Sequence, residues 1–164
     1  MRIGILSDTH DQVARTARAV TILVGQGVEA LIHCGDYTCP EVILECGGMP
    51  SYYVFGNNDF DQADLRRAMA AVGGVCLEWG GVAAFGTRRV AVTHGDSEPE
   101  MRRLAGLGPY YLLFGHSHRK ADERRGATRW VNPGALYRAS EWTVAVLDLN
   151  TDGVTFHSVD ARRG

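Results

Sequence analysis

Lysine is almost missing from this chain: Lys120 is the only one among 17 lysine and arginine residues. Against 19 acidic residues these give a formal net charge of −2, and the arginine pairs at 66–67, 88–89, 102–103 and 124–125 are spread along the chain. No concentrated basic face exists for nucleic acid or an anionic membrane surface, so neither is an expected partner, and the pairs read as solvated faces. No apolar run reaches 18 residues, which excludes a transmembrane helix. The first residues carry no signal-peptide pattern, so the cytoplasm is the expected location. The four cysteines (Cys34, Cys39, Cys46, Cys76) lack a CxxC spacing. That argues against a structural zinc site or a redox pair, and for reduced, mostly buried thiols.

What remains is an ordinary globular composition, 45% apolar over 164 residues, enough for one domain spanning 1–164. Its distinctive pattern is a set of five apolar runs, each ending in a polar cluster. Ile3 to Leu6 leads into Asp8-Thr9-His10. Ala30 to His33 leads into Gly35-Asp36. Tyr52 to Phe55 leads into Gly56-Asn57-Asn58-Asp59. Arg89 to Thr93 leads into His94-Gly95-Asp96. Tyr111 to Phe114 leads into Gly115-His116-Ser117-His118. Open α/β sheets place ligands at the C-terminal ends of their strands. In extended backbone His116 and His118 would leave on one face, as residues two apart do.

Taken in order, strands are expected over about 2–6, 30–33, 51–55 and 110–114. Helices are expected from an Asp11 cap to Gly25, with Val13, Ala17, Val20 and Val24 inward; following Asp36, with Pro40 near the first turn and Val42, Ile43 and Cys46 inward; and from an Asp61 cap, with Leu65, Ala68, Met69 and Val72 inward. Residues 75–93 read as three short antiparallel strands. Ser97 and Glu100 form a capping box for a short helix. Residues 119–131 read as an exposed hairpin, Asn132-Pro133-Gly134 as a tight turn, and 143–159 as a closing hairpin. Two facing sheets with helices outside accommodate both the βα first half and the β-rich second half.

Asp8, His10, Asp36, Asn57, His94, His116 and His118 together offer two carboxylates, one amide and four imidazoles. That is too many for one tetrahedral ion and enough for two if a carboxylate bridges. Oxygen and nitrogen donors without thiolate suit manganese, iron, zinc, cobalt or nickel. Two such ions about 3.5–4 Å apart are the arrangement that hydrolyses phosphate esters.

In order and spacing, the five motifs resemble those of the calcineurin-like metallophosphoesterases, and the short length and Asn-Pro-Gly resemble their small YfcE-like phosphodiesterase branch. The resemblance implies a four-layer αββα sandwich of two facing mixed β-sheets flanked by helices. It implies a metal-dependent phosphodiesterase acting on small phosphate esters through a hydroxide activated by two divalent ions, manganese first. Asp8, His10 and His118 would hold one ion, Asn57, His94 and His116 the other, and Asp36 would bridge. The catalytic set would be Asp36, Asn58, Asp59 and His94. One departure matters: the superfamily usually carries a histidine, the presumed general acid, where this chain has Asn58. An amide transfers no proton at neutral pH, so activity is expected to favour acidic leaving groups. The alternative is a protein-binding scaffold of the same fold, as in the retromer subunit. His33 reads equally as a support for the ligands or a core histidine. Ser7 and Asp96 are candidates to orient ligands. Tyr37, Phe60 and Arg138 are candidates to line a cleft. His157 and Trp79, Trp130 and Trp142 read as bland or packing residues. A homodimer through the β-rich half is left open.

Overall fold

The computed structural model describes residues 1–160. In chain order the elements are β1 (Arg2–Leu6), α1 (Val13–Gly25), β2 (Ala30–His33), α2 (Pro40–Glu45), β3 (Ser51–Tyr53), α3 (Gln62–Ala71), β4 (Val75–Cys76), β5 (Gly80–Phe85), β6 (Arg88–Thr93), α4 (Glu98–Gly106), β7 (Tyr111–Leu113), β8 (Ala121–Arg125), β9 (Thr128–Asn132), β10 (Thr143–Asp148) and β11 (Gly153–Ser158). Among the described residues, no helix is long and apolar enough to cross a membrane.

Two mixed sheets result, ordered β11-β10-β1-β2-β3-β4 and β5-β6-β7-β9-β8. The period of two along each strand sends alternate side chains to opposite faces. Ile3, Ile5, Ala30 and Ile32 thus meet Val90, Val92, Tyr111 and Leu113 between the sheets. Leu6 and Leu31 face outward, onto Leu23 of α1, Ile43 of α2 and Leu65 of α3. On the far side Ala91 and Leu112 pack under Leu104 of α4. Those three apolar interfaces make the four layers of an αββα sandwich.

Several local expectations need correcting. Asp11 does not cap α1: Gln12 holds that position without a side-chain bond. The Asp11 carboxylate instead accepts the Thr38 hydroxyl. The fully buried residues of α1 are Thr16, Ala19 and Leu23; Val13 and Val20 pack half-buried against the same core as expected, whereas Val24 is 51% exposed. β4 leaves the expected antiparallel trio and pairs parallel with β3, so only β5 and β6 form a hairpin there. In the 119–131 hairpin only β8 is exposed; β9 lies between β7 and β8, with Val131 and Asn132 buried. The caps at Asp61 and Ser97 form as expected, accepting from the backbone N–H of Asp64 and Glu100.

The topology points both sheets at one edge. β1, β2 and β3 run parallel, with Leu6 level with His33 and His33 level with Tyr53. β6, β7 and β9 run parallel in the other sheet. The loops leaving those C-terminal ends carry all five polar clusters. Neighbouring loops within each sheet are joined by backbone bonds from Asp8 to Gly35 (3.0 Å), from His10 to Asp36 (2.8 Å) and from Gly115 to His94 (2.7 Å), and the His116 N–H crosses to the Asp8 carboxylate of the other sheet (3.0 Å).

Candidate metal centre

The loops turn sharply as they leave the strands. Asp8, His10, Asp36, His116 and His118 all have positive φ, between 45° and 65°. Aspartate and histidine tolerate that region better than β-branched residues, and such conformations persist where the surroundings over-determine them. His116 and His118 are therefore not paired on an extended strand, which corrects the simple two-residue argument. The turn sends them apart. The His118 ring lies 6.1 Å from that of His10, and the His116 ring lies 5.1 Å from that of His94.

Two groups of ligand atoms converge. Asp8, His10 and His118 form one, and Asp8, Asp36 and His94 the other, with every atom of a group within 4.8 Å of the rest. Asp36 Oδ2 lies 3.5 Å from His94 Nε2 and 3.7 Å from His10 Nε2. Asn57 Oδ1 lies 3.1 Å from His94 Nε2. His116 lines the same cleft as His10, Asp36, Asn57 and His118. The structure thus brings all seven candidate ligands to one place.

Backbone carbonyls set the histidine tautomers. A carbonyl only accepts, so His94 Nδ1 donates to Cys34 O (2.8 Å) and His118 Nδ1 donates to Arg138 O (3.3 Å). Both Nε2 atoms are left facing the carboxylates, the usual support of a metal-binding imidazole. His33 is wired the other way. Its Nδ1 accepts from Gly35 N (3.2 Å), so Nε2 donates to Thr9 Oγ1 (3.0 Å), tying the first motif to the second. Burial pushes its pKa down to about 3, and it stays neutral.

The carboxylates are held as firmly. Asp8 Oδ2 accepts from Ser7 Oγ (2.6 Å) and His116 N (3.0 Å). Asp8 Oδ1 is buried and accepts no aligned hydrogen bond, although His118 Nε2 lies 3.2 Å and His94 Nε2 3.9 Å away. Asp36 accepts from the Asn58 backbone N–H (2.9 Å) and from Asn58 Nδ2 (2.7 Å). Burial alone would raise its pKa, but bonds from His94 and Asn58 outweigh that and hold it well below the usual range. Desolvation would likewise lower His94, and the facing carboxylates Asp36 and Asp8 push it up to about 9. His118 is raised by the Asp8 carboxylate against its burial, whereas burial lowers His10.

Asp59 sits behind this group. Its Oδ2 accepts from Asp36 N (2.8 Å) and Gly56 N (2.7 Å), and its Oδ1 from Thr38 N (2.8 Å). It ties the Asp36 loop to the Asn57 loop. Its own burial raises its pKa to about 6. Tyr37 is wholly buried in the helix-side core and lines no cleft, correcting its candidacy. Asp96 is exposed, and His157 is half-buried beside Thr155, lining a separate cleft with α1. Phe60 and Arg138 do line clefts.

Two residues escaped sequence reasoning. Tyr137 packs against His10 with ring centres 4.4 Å apart and the ring planes tilted by 44°. Asn132 is buried and donates to Gly115 O (2.8 Å) and Ser117 Oγ (3.1 Å), while its Oδ1 accepts from Gly134 N (2.9 Å). It braces the turn bearing His116 and His118. Its signal was an Asn-Pro-Gly at the end of a strand parallel to the other motif strands.

Gly115 shows how tightly the turn sits. A Cβ there would collide with Ser7 Oγ and lie 2.7 Å from Asp8 Oδ2. Gly115→Ala should cost about 2 kcal/mol through overpacking, a fall in Tm of roughly 4–8 °C. It should also weaken divalent-metal binding at least about tenfold by displacing Asp8. A thermal melt and a metal titration read both; an unchanged titration would show that Asp8 is not a ligand.

The arrangement fits divalent cations. Two buried carboxylates lie among imidazoles and an amide, and one buried carboxylate oxygen lacks a hydrogen bond, a costly state unless a cation engages it. The donors are oxygen and nitrogen, and Cys34 faces the apolar space between the sheets.

Comparison with known proteins agrees. Residues 1–152 match the calcineurin-like phosphoesterase superfamily domain. A phosphodiesterase of Methanocaldococcus jannaschii is 28% identical over 160 residues, spanning 90% of this chain and 93% of that protein. A solved archaeal phosphodiesterase superposes with a TM-score of 0.88 at 24% identity, covering 96% of this chain and 99% of the other. YfcE, a phosphoesterase from E. coli, superposes with a TM-score of 0.68 at 18% identity, covering 98% and 100%. At these identities the structural likeness speaks for the fold.

Proposed function

The chain belongs to the calcineurin-like phosphoesterase superfamily, and from that premise we propose that it is a phosphodiesterase of small phosphate esters, working with two divalent ions, manganese first. The observation that carries this reading is the buried pair Asp8 and Asp36 set among His10, His94, His116, His118 and Asn57, with Asp8 Oδ1 accepting no hydrogen bond. Asp8, His10 and His118 would hold one ion and Asn57, His94 and His116 the other. Asp36, in reach of His10 and His94, would be shared. Asp8 lies close enough to His94 to serve the second ion as well. Bound there, the ions would supply an activated hydroxide and positive charge for the non-bridging phosphate oxygens.

The chain's own residues do the rest. The Nδ1 bonds of His94 and His118 fix the ring faces presented to the centre. Ser7, His33, Asp59 and Asn132 hold the four loops in register. Asn58 stands beside Asp36 at the leaving-group side without a titratable proton, so the departing oxygen leaves as an anion or takes its proton from water. Residues 1–164 would act as one metallophosphoesterase domain.

The test is hydrolysis of bis(4-nitrophenyl) phosphate beside 4-nitrophenyl phosphate by metal-stripped protein, with and without Mn²⁺. Turnover should require the metal, stop with chelator, and favour the diester by at least about tenfold. A folded protein that turns over neither ester with manganese, iron, cobalt, nickel or zinc would replace the enzyme with the protein-binding scaffold.

A further inference from the structure

The centre opens into a cleft of about 350 Å³ that continues on two sides. Through His10, Asn58 and Tyr137 it joins a cleft of about 470 Å³ that adds Asp11, Gln12, Thr38, Phe60 and Asp61. Through His116, His118 and Arg138 it joins a cleft of about 500 Å³ that adds Ser117, Arg119, Ala139 and Ser140. The two side clefts share no residue. A phosphodiester has one phosphorus and two arms, and the space around the centre has that form.

The two sides differ in charge. The first contains two carboxylates and neither lysine nor arginine. The second contains two arginines and no carboxylate. Most arginines on this surface are spent on ion pairs, as Arg66 is on Glu78 and Arg129 on Asp122. Among the described residues Arg119 and Arg138 have no such partner. Both are exposed and, unlike the other arginines without an ion pair (Arg15, Arg18, Arg88 and Arg89), both line a cleft that opens from the centre; Arg138 rests over the Tyr137 ring, 5.0 Å from its centre. The first side has a different asset. Phe60 is 83% exposed, the most exposed large apolar side chain described. Packing does not explain an aromatic ring left in water at the lip of a catalytic cleft. Tyr137, its ring packed against His10 and beneath the Arg138 guanidinium, stands between the two sides, so Phe60 is the open flat surface of the first; the carboxylates Asp11 and Asp61 there repel a negatively charged guest.

Building on the phosphodiesterase reading, we propose that the substrate is an asymmetric diester: a neutral, flat arm departs across Phe60 and Tyr137, and the retained arm carries a further anionic group bound by Arg119 and Arg138. Asn58, at the position where the superfamily usually carries its general acid, lines the flat-arm cleft, and that arm is accordingly assigned to the leaving side. Hydrolysis breaks the phosphorus–oxygen bond to the flat arm. Water supplies the new oxygen and its proton goes to solvent or to the departing alcohol. The remaining product is a phosphomonoester that still bears the second anion.

Three chromogenic diesters with the same flat leaving group test this: 4-nitrophenyl thymidine 5′-phosphate, the same compound with a 3′-phosphate, and 4-nitrophenyl phosphorylcholine. With Mn²⁺, kcat/KM should be about tenfold higher with the 3′-phosphate than without it, and lowest for the cationic choline arm. The 3′-phosphate advantage should shrink to within about twofold in the Arg119→Gln/Arg138→Gln variant and in high salt. Equal rates for the three esters, or an advantage untouched by the double substitution, would overturn the proposal while leaving the phosphodiesterase intact. If no ester turns over, the activity reading fails, and calorimetry decides the binding question. Metal-loaded protein should bind thymidine 3′,5′-bisphosphate about tenfold tighter than thymidine 5′-phosphate, and equal affinities would end the proposal.

Discussion

Asp36→Asn is expected to abolish manganese-dependent turnover, by a factor of about 10³ or more. Asp36 is 2% exposed and its Oδ2 lies within 3.7 Å of both His10 and His94, which belong to different ligand groups. An amide of the same shape keeps the volume and loses the negative charge that two cations would share. The loop should survive, because Asp59 holds the Asp36 backbone N–H irrespective of the side chain. A melt near wild type with metal content reduced by mass spectrometry and turnover lost would fit a shared ligand. Retention of more than about a tenth of the activity would remove Asp36 from the centre. A second readout is independent of turnover. In metal-free protein the His94 pKa is pushed up to about 9 against its burial, the Asp36 bond being the largest of the raising causes. Its protonation therefore stabilises the metal-free fold fully below the ordinary histidine pKa, and that contribution is lost as pH rises through about 9. In Asp36→Asn desolvation acts with less opposition, so the His94 midpoint followed by NMR should fall.

How much of this was written in the sequence differs by level. Parallel strands bury both faces, so β1, β2, β6 and β7 read as short apolar runs, and the polar residue after each run marks its C-terminal end. That made the sandwich and the seven converging residues legible from composition along the chain. What local pattern does not encode is direction. The bend after Gly115 separates His116 from His118 by two positive-φ turns, where spacing alone suggested a shared face. β4 is two residues long and takes its pairing from β3 through tertiary context, where propensity has little say. Asp11 shows the same competition: a nearby hydroxyl on Thr38 captured a carboxylate otherwise suited to a helix cap. Tyr137 had no motif of its own, and the Asn-Pro-Gly turn did not show what the Asn132 amide would hold. Their roles come from β9, which Asn132 ends and Tyr137 follows, and which lies between β7 and β8 only once the second sheet is assembled. Asp59 is the most instructive case. The sequence placed it next to a missing ring, and the structure gives its carboxylate three backbone N–H groups instead.

That wiring shapes the expected result of restoring the ring. Asn58→His should accelerate hydrolysis of diesters with poor leaving groups, such as alkyl esters, by about 10–100-fold, while leaving 4-nitrophenyl esters within about threefold. A general acid is worth about 10²–10⁴ when its proton and geometry are both right. The new imidazole would enter where Asn58 Nδ2 now meets Asp36 Oδ2, at the mouth of the flat-arm cleft. There Asp36 Oδ2 is the acceptor at hand, whereas the Asp59 carboxylate already receives three backbone N–H groups and braces the loops rather than the ring. The gain should therefore fall at the low end of the range and be lost as pH rises and the histidine deprotonates. The lost Asn58–Asp36 bond works against it and should appear as weaker manganese binding. The decisive quantity is the ratio of alkyl to 4-nitrophenyl turnover across pH. A ratio that does not move would mean that proton transfer at this position does not limit the reaction. The amide would then be kept for its hold on Asp36.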